Sequence, residues 1–435
     1  MRCNRGAVLV PSSRLLAFFA LLVLPAAISA RFHFAIAPVL LVFVLDAAIS
    51  RRRLLGITAS TPELLRMWRG REASLPVTLR STNLSVRRLR VGLFAPSELV
   101  LTPEDLTTTL SQIARATWTV MPSQRGRYTI DRCYLETPSL LGLWSIRGST
   151  PVALEVRVYP DLSSAQQLST SYLRLGAGGS HPQRQIGRGR EFEKLREYAF
   201  GDSFDEVDWK ATARRGRPIT RVFQVEKTQE VYVILDASRL TARPLSAGHP
   251  DSILERNVTA ALLLALEAER QGDHFGLITF SDSIHGFVRA RGGKAHYGAC
   301  REALYALHPR IVTPDFDELG TLLRLRLRRR ALLVFLTELD DPILAESFLR
   351  NAALIRRNHL MLVGMMQPPG SRPLFETATP ADLYESLAGH MQWSKLQTFA
   401  KVLERQGIHF LLCQPDRISS QLASAYVNLK RKQAL

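Results

Sequence analysis

The apolar positions of this chain follow three successive rhythms. The first is two nearly unbroken apolar runs, residues 15–30 and 32–50, separated by Arg31 and interrupted by His33 and Asp46. Runs of this length sit at the lower limit for crossing a bilayer core, so the pattern predicts a transmembrane helical hairpin within residues 1–56, with Pro25 kinking its first helix. Arg2, Arg5 and Arg14 precede the first run, and Arg51, Arg52 and Arg53 follow the second. The positive-inside rule then puts both termini and the downstream domains on the cytoplasmic side of the inner membrane. Asp46 falls near the inner end, within reach of the three following arginines. A cleaved signal peptide ending at Ala30 is the competing reading; Ile28 fits poorly where cleavage needs a small residue, and a second apolar run follows at once.

From residue 57 the period shortens to two. Residues 75–80, 89–93, 117–121, 127–131 and 154–159 alternate apolar and polar side chains between Asn, Ser, Gly and Pro breaks. Alternation of this kind predicts antiparallel strands with one buried face, and several together predict a small β-sandwich over residues 57–161. Residues 162–189 are rich in Ser, Gly and Gln and read as a flexible linker. Residues 190–229 form a dense block of opposite charges and aromatics. From residue 230 onward, short apolar runs alternate with helical stretches. The runs at 231–235, 274–280, 331–336, 360–365 and 408–412 predict strands. Residues 253–270, 297–307, 316–327, 343–356, 393–405 and 418–429 predict helices. Such alternation means a doubly wound α/β sheet over residues 230–435.

Composition adds two constraints. Hydrophobic residues make up 46% of 435, which excludes a disordered chain. The net charge is +18, with lysine and arginine spread along most of the sequence. An anionic lipid surface, acidic proteins and nucleic acid all suit that charge, but no nucleic-acid recognition motif accompanies it, so no nucleic acid is expected. Cys3, Cys133, Cys300 and Cys413 form no CxxC pair, which argues against zinc and for reduced core thiols.

The charged block holds the richest candidate chemistry. A short helical piece is expected to lead into a turn at Gly201-Asp202. Tyr198 and Trp209 suit amphipathic anchors, and Arg196 and Arg214 suit bidentate clamps on Asp202 and Asp208. An ion-pair network, a docking surface and a carboxylate-based catalytic site all remain open for it; the block contains no histidine.

Leu195-Arg196-Glu197-Tyr198, Gly201-Asp202, Asp208-Trp209-Lys210, Ala213-Arg214 and the strand running into Asp236-Ala237-Ser238 resemble the domain-of-unknown-function family 58, membrane proteins carrying a von Willebrand factor A-like domain. Residues 124–130, 141–144 and 158–160 extend the resemblance upstream. It implies an immunoglobulin-like unit in the middle and an A-like domain at the end. It further implies a metal-ion-dependent adhesion site, in which oxygen ligands hold magnesium. Asp236 matches the leading acid and Ser238 the first serine. Leu240 stands where the second serine belongs, Glu338 where an aspartate is usual, and Thr313 is the best match for the loop threonine, with Asp315 nearby. The site is therefore degenerate, and the cofactor expectation is none or magnesium. The implied partner is a MoxR-type AAA+ ATPase.

These readings converge on a membrane-tethered, non-enzymatic protein-interaction adaptor that acts in assembling or activating another complex. The alternative is a hydrolase using the charged block or a metal at Asp236; a third is a nucleic-acid-binding membrane protein. No GxxxxGK[ST] loop is present, so the chain is not expected to hydrolyse nucleotide alone.

Overall fold

The structure, a computed structural model, describes residues 8–28, 33–82, 88–163, 186–199, 204, 207–224, 229–246, 248–249, 251–374 and 383–431. It divides into two compact units, Met1–Asp161 and Leu162–Leu435.

The described part of the first unit opens with a strand, β1 (Val8–Pro11), followed by helices α1 (Ser13–Ile28) and α2 (His33–Ser50). Strands β2 (Ile57–Ser60), β3 (Leu64–Trp68), β4 (Ala73–Ser81), β5 (Arg88–Leu93), β6 (Leu99–Thr102), β7 (Asp105–Thr109), β8 (Ile113–Pro122), β9 (Gly126–Pro138) and β10 (Trp144–Tyr159) follow. One sheet runs β1-β10-β9-β5-β7, with β3 joining β10 in parallel; the other runs β2-β4-β8-β6. The alternation along β8 is complete, every second residue being buried. Leu75, Val77, Trp118, Val120, Ile130, Val156 and Val158 from both sheets share one core. Each strand thus turns one face inward and leaves the other to solvent, as period-two sequences require.

The expected transmembrane hairpin is not what the chain builds. No helix among the described residues is long and apolar enough to cross a membrane, and the described part of the unit opens with a strand paired into a β-sheet. At 1.5 Å per residue the 16 residues of α1 reach only about 24 Å, short of a hydrocarbon core of about 30 Å. Polar contacts also bind α2 to the β-structure. Asp46 is 4% exposed, and its Oδ1 accepts bonds from the Leu141 amide at 3.2 Å and the Ser50 hydroxyl at 3.3 Å. The Ser50 hydroxyl accepts from the Leu140 amide at 3.1 Å, and the Trp144 indole donates to the Phe43 carbonyl at 3.0 Å. Asp46 is therefore a clamp between helix and loop, not an acid neutralised by the arginines after it. Leu15, Phe43 and Leu143 form a small core there, while Leu16, Phe18, Leu41, Val44 and Ile49 stay exposed.

In the second unit, β11 (Ile186–Glu197) pairs antiparallel with β12 (Ile219–Gln224), and α3 (Trp209–Arg215) lies between them in sequence. β11 replaces the short helical piece expected before Gly201 and begins inside the stretch read as linker; residues 164–185 of that stretch lie outside the described residues. The main sheet contains β13 (Glu230–Asp236), β14 (His274–Phe280), β15 (Ile284–Arg291), β16 (Ala331–Leu336), β17 (Leu360–Met366) and β18 (His409–Cys413). Helices α4 (Ile253–Arg270), α5 (Lys294–Tyr305), α6 (Phe316–Arg326), α7 (Pro342–Ile355), α8 (Leu383–Arg405) and α9 (Ile418–Arg431) connect the strands. The order is β15-β14-β13-β16-β17-β18, parallel except for the edge strand β15. Val231, Val233 and Leu235 pack under α4 and α9 on one face, and Tyr232 and Ile234 pack under α6, α7 and α8 on the other. Both faces of β13 are buried, which is why its sequence reads as a continuous apolar run.

Candidate functional site

β13 and β16 lie side by side in parallel, with Leu235 opposite Leu336. Their ends therefore present Asp236 and the Thr337-Glu338 pair at one edge. β14 lies on one side of β13 and β16 on the other, so the winding reverses here and leaves a crevice of the kind α/β folds use for ligands.

Asp236 and Ser238 are fully buried. One Asp236 carboxylate oxygen accepts from the Ser238 amide at 2.8 Å, and the other accepts from the Thr337 hydroxyl at 2.6 Å. Burial pushes this carboxyl above the usual range, opposed by the bonds from Thr337 and Ser238. The Ser238 hydroxyl accepts from the Leu240 amide at 3.3 Å, and the Thr241 hydroxyl donates to the Asp236 carbonyl at 2.8 Å. The turn after β13 thus satisfies its own polar groups.

Glu338 is 2% exposed and accepts from the Met366 amide at 3.0 Å. Burial raises its carboxyl to about 8, with the Met366 bond and the Arg243 charge opposing and Asp340 and Asp236 adding. It lines a cavity of about 90 Å³ with Arg243, Met366 and Pro368. Arg243 holds Asp340 through both terminal nitrogens, at 2.7 and 3.3 Å, and its side chain is 45% exposed. Arg239 pairs with Asp341 at 3.5 Å. Thr313 lies exposed on the loop between α5 and α6, next to Val312, whose carbonyl accepts from the Arg239 amide at 3.0 Å. Asp315 caps α6, accepting from the Asp317 and Glu318 amides at 2.9 Å.

This donor set does not fit magnesium, which demands near-octahedral oxygen geometry. Leu240, 5% exposed and part of the apolar core, supplies no oxygen. Both Asp236 oxygens and one Glu338 oxygen already serve protein donors. Among the described residues no three His, Cys, Asp or Glu groups stand together to hold an ion. The positive charge beside Glu338 is the Arg243 guanidinium.

A serine, an aspartate and a histidine also meet at this edge. The Ser281 hydroxyl, after β14, donates to Asp282 at 2.7 Å and lies 2.6 Å from Nε2 of His285. A hydroxyl that gives its proton to Asp282 leaves His285 as the donor to it. That is the reverse of the order in which an imidazole activates a serine.

In the charged block, residues 190–229, Asp208 caps α3 by accepting from the Ala211 amide at 2.9 Å and pairs with Arg221 of β12 at 2.9 Å. The Ala211 bond leads the effects that hold its carboxyl below the usual range. Asp208 thus finds Arg221, where Arg196 and Arg214 had been the expected clamps. Arg196 lies on β11, opposite Thr220; Lys210 and Arg214 are exposed on α3. Trp209 is 66% exposed, and Tyr198 packs its ring 5.9 Å from Phe204. Gly201 and Asp202 lie outside the described residues.

Sequence reasoning placed Asp236, Ser238 and Glu338 at strand ends and missed Arg243, Asp340, Ser281 and His285. The run Thr337-Glu-Leu-Asp-Asp341 after a buried strand was the available signal for Asp340. Nothing local marks Arg243, which acts across 97 residues of sequence.

The family described as "Protein of unknown function DUF58" matches residues 194–371. No curated protein matches the chain. Among solved structures, proximal thread matrix protein 1 from the mussel byssus is 14% identical over 47% of this chain and 46% of its own, with a TM-score of 0.27. The same protein with a zinc-occupied MIDAS motif is 13% identical over 37% and 39%, with a TM-score of 0.23. An aerotolerance-related membrane protein from Bacteroides fragilis is 12% identical over 46% of this chain and 98% of its own, with a TM-score of 0.28. This chain spans less than half of the byssus protein, and likenesses at these scores carry no argument about function.

Proposed function

For a chain whose residues 194–371 match the DUF58 family, we propose a non-enzymatic docking role in which the edge formed by Asp236, Arg243 and Glu338 receives a carboxylate-bearing segment of a protein partner. The observation that carries this reading is the half-exposed Arg243 guanidinium, forked onto Asp340 beside buried Glu338. A bidentate pair of this kind is exchangeable: a partner's Asp or Glu can take the place of Asp340 with the same planar geometry. In this reading the guanidinium does the work that a divalent cation does in an intact adhesion site, and docking needs no metal. The resemblance noted from the sequence makes a MoxR-type AAA+ ATPase the first partner to try, with the pair acting in assembly or activation of another complex. The exposed apolar side chains of α1 and α2 favour work at the inner face of the cytoplasmic membrane, with no span required.

The test is crosslinked capture of a purified MoxR-type ATPase by the full chain. Arg243→Glu should weaken capture by roughly tenfold or more, and a chelator should leave it unchanged. Capture that withstands Arg243→Glu, or that the chelator abolishes, would refute the metal-free docking edge.

A further inference from the structure

At the opposite end of the same sheet, where β13 and β16 begin, lies a pocket of about 530 Å³. Its size is that of a small-ligand site, for which about 300–1,000 Å³ is usual. Tyr232 of β13 and Phe287 of β15 form its aromatic floor. Gly276 of β14 stands opposite Tyr232 in register, and a Cβ there would come within 2.4 Å of the tyrosine ring. The missing side chain lets the ring lie across β14. Its hydroxyl then accepts from the Ala290 amide at 3.2 Å, and the ring stacks on Phe287 with centroids 6.2 Å apart and planes 17° apart. Phe287 is only partly buried, and Leu325 at the rim is 71% exposed.

The walls are cationic. Arg289 comes from β15, Arg326 from the last turn of α6, and Arg328 and Arg329 from the connection into β16. All four are exposed, and among the described residues none of them forms an ion pair. Cations at a helix C-terminus are favoured by the helix dipole, but that effect is confined to the last turn. It accounts for Arg326 and leaves Arg328, Arg329 and Arg289 unexplained. Gathering like charges around one concavity is unfavourable unless a counter-charge enters. Glu230 is the acid of the lining, and its carboxylate lies 3.5 Å from the Tyr232 hydroxyl. A plain polyanion has no use for that carboxylate, whereas ribose hydroxyls and the amino groups of a base can donate to it.

We propose that this pocket binds a nucleoside phosphate, its phosphates held by Arg289, Arg328 and Arg329, its base against Phe287, and a donor of the sugar or base on Glu230. Guanidinium forks match phosphate oxygens bidentately, and an exposed ring face suits a base. The site stands apart from the docking edge and does not depend on it.

Calorimetric titration of the full chain with ATP, GTP, inorganic pyrophosphate and a single-stranded oligothymidylate tests this. Saturable binding of ATP or GTP, tighter than pyrophosphate, is the expected result. Arg289→Glu and Arg328→Glu should each weaken it by about tenfold or more while keeping the wild-type melting temperature. Phe287→Ala should weaken the nucleotide and spare pyrophosphate, and Arg243→Glu should change neither. The proposal fails if no nucleotide saturates, if the Arg289 and Arg328 variants bind as the wild type does, if pyrophosphate binds as tightly as the nucleotides, or if the oligothymidylate alone binds.

Discussion

Glu338 is an acid that its surroundings keep from ionising. Its carboxyl is buried, accepts one amide bond, and faces the charges of Arg243, Asp340 and Asp236. Burial outweighs the favourable Arg243 field and moves it from an ordinary 4.5 to about 8. Between those values the folded state keeps a proton that the unfolded chain has released. The stabilisation is therefore full below pH 4.5 and is lost as pH climbs to 8. Glu338→Gln retains an acceptor for the Met366 amide and removes the ionisation. Its melting temperature relative to wild type should rise steadily from pH 5 to pH 8; a gap that stays constant over that range would show that Glu338 is already ionised. Asp236 carries a related lesson. A strand-ending acid followed two residues later by serine reads as half of a metal site; in the fold both its oxygens also accept from protein donors, Ser238 and Thr337. Sequence spacing reports which side chains are near a strand end, not which donors they have already met.

The strands and helices of the α/β sheet follow from local patterning more closely than any site does. α4, β14 and β16 occupy the very residues that their apolar runs mark out, because a buried element must be apolar wherever it faces the core. β15 was missed. It is an antiparallel edge strand of partly buried residues, Ile284–Arg291, and it shows no clear rhythm of its own. β11 was misjudged because charges occupy most of its positions, and only its pairing with β12 marks it as a strand. Elements are also tied to one another by polar groups that no periodicity reveals. Asp273, between α4 and β14, accepts from the Tyr426 hydroxyl and from Lys430 at 2.7 Å on α9, and from the Gln229 amide at 3.1 Å ahead of β13. Removing that carboxylate leaves the Lys430 charge without its counter-ion, in a largely enclosed place, with the Gln271 carbonyl at 3.0 Å as its remaining partner. Asp273→Ala should cost about 3–5 kcal/mol in urea unfolding, and Tyr426→Phe distinctly less; equal costs would mean that the hydroxyl bond alone holds α9.

Each of the two compact units has its own apolar core, one between the sheets of the first and one on either face of the main sheet of the second. A core of that kind is what lets a segment fold by itself. Fragments comprising residues 1–161 and 162–435 should each give a cooperative calorimetric transition; a fragment that melts without one would show that its core is completed by the other. Much about this protein could be read before any coordinates: a β-rich unit followed by an α/β sheet, and an acid at the end of a central strand. Those features rest on neighbours close in sequence, where the demand to bury one face writes a period into the chain. The rest depends on partners brought together across long separations, such as Thr337 with Asp236 over 101 residues or Arg289 with Arg328 around one pocket. The fate of the two N-terminal apolar helices belongs with these. Hydropathy describes only a helix's own side chains, and it is the loop at Leu140 and Leu141, donating to Ser50 and Asp46, that binds α2 to a β-sheet.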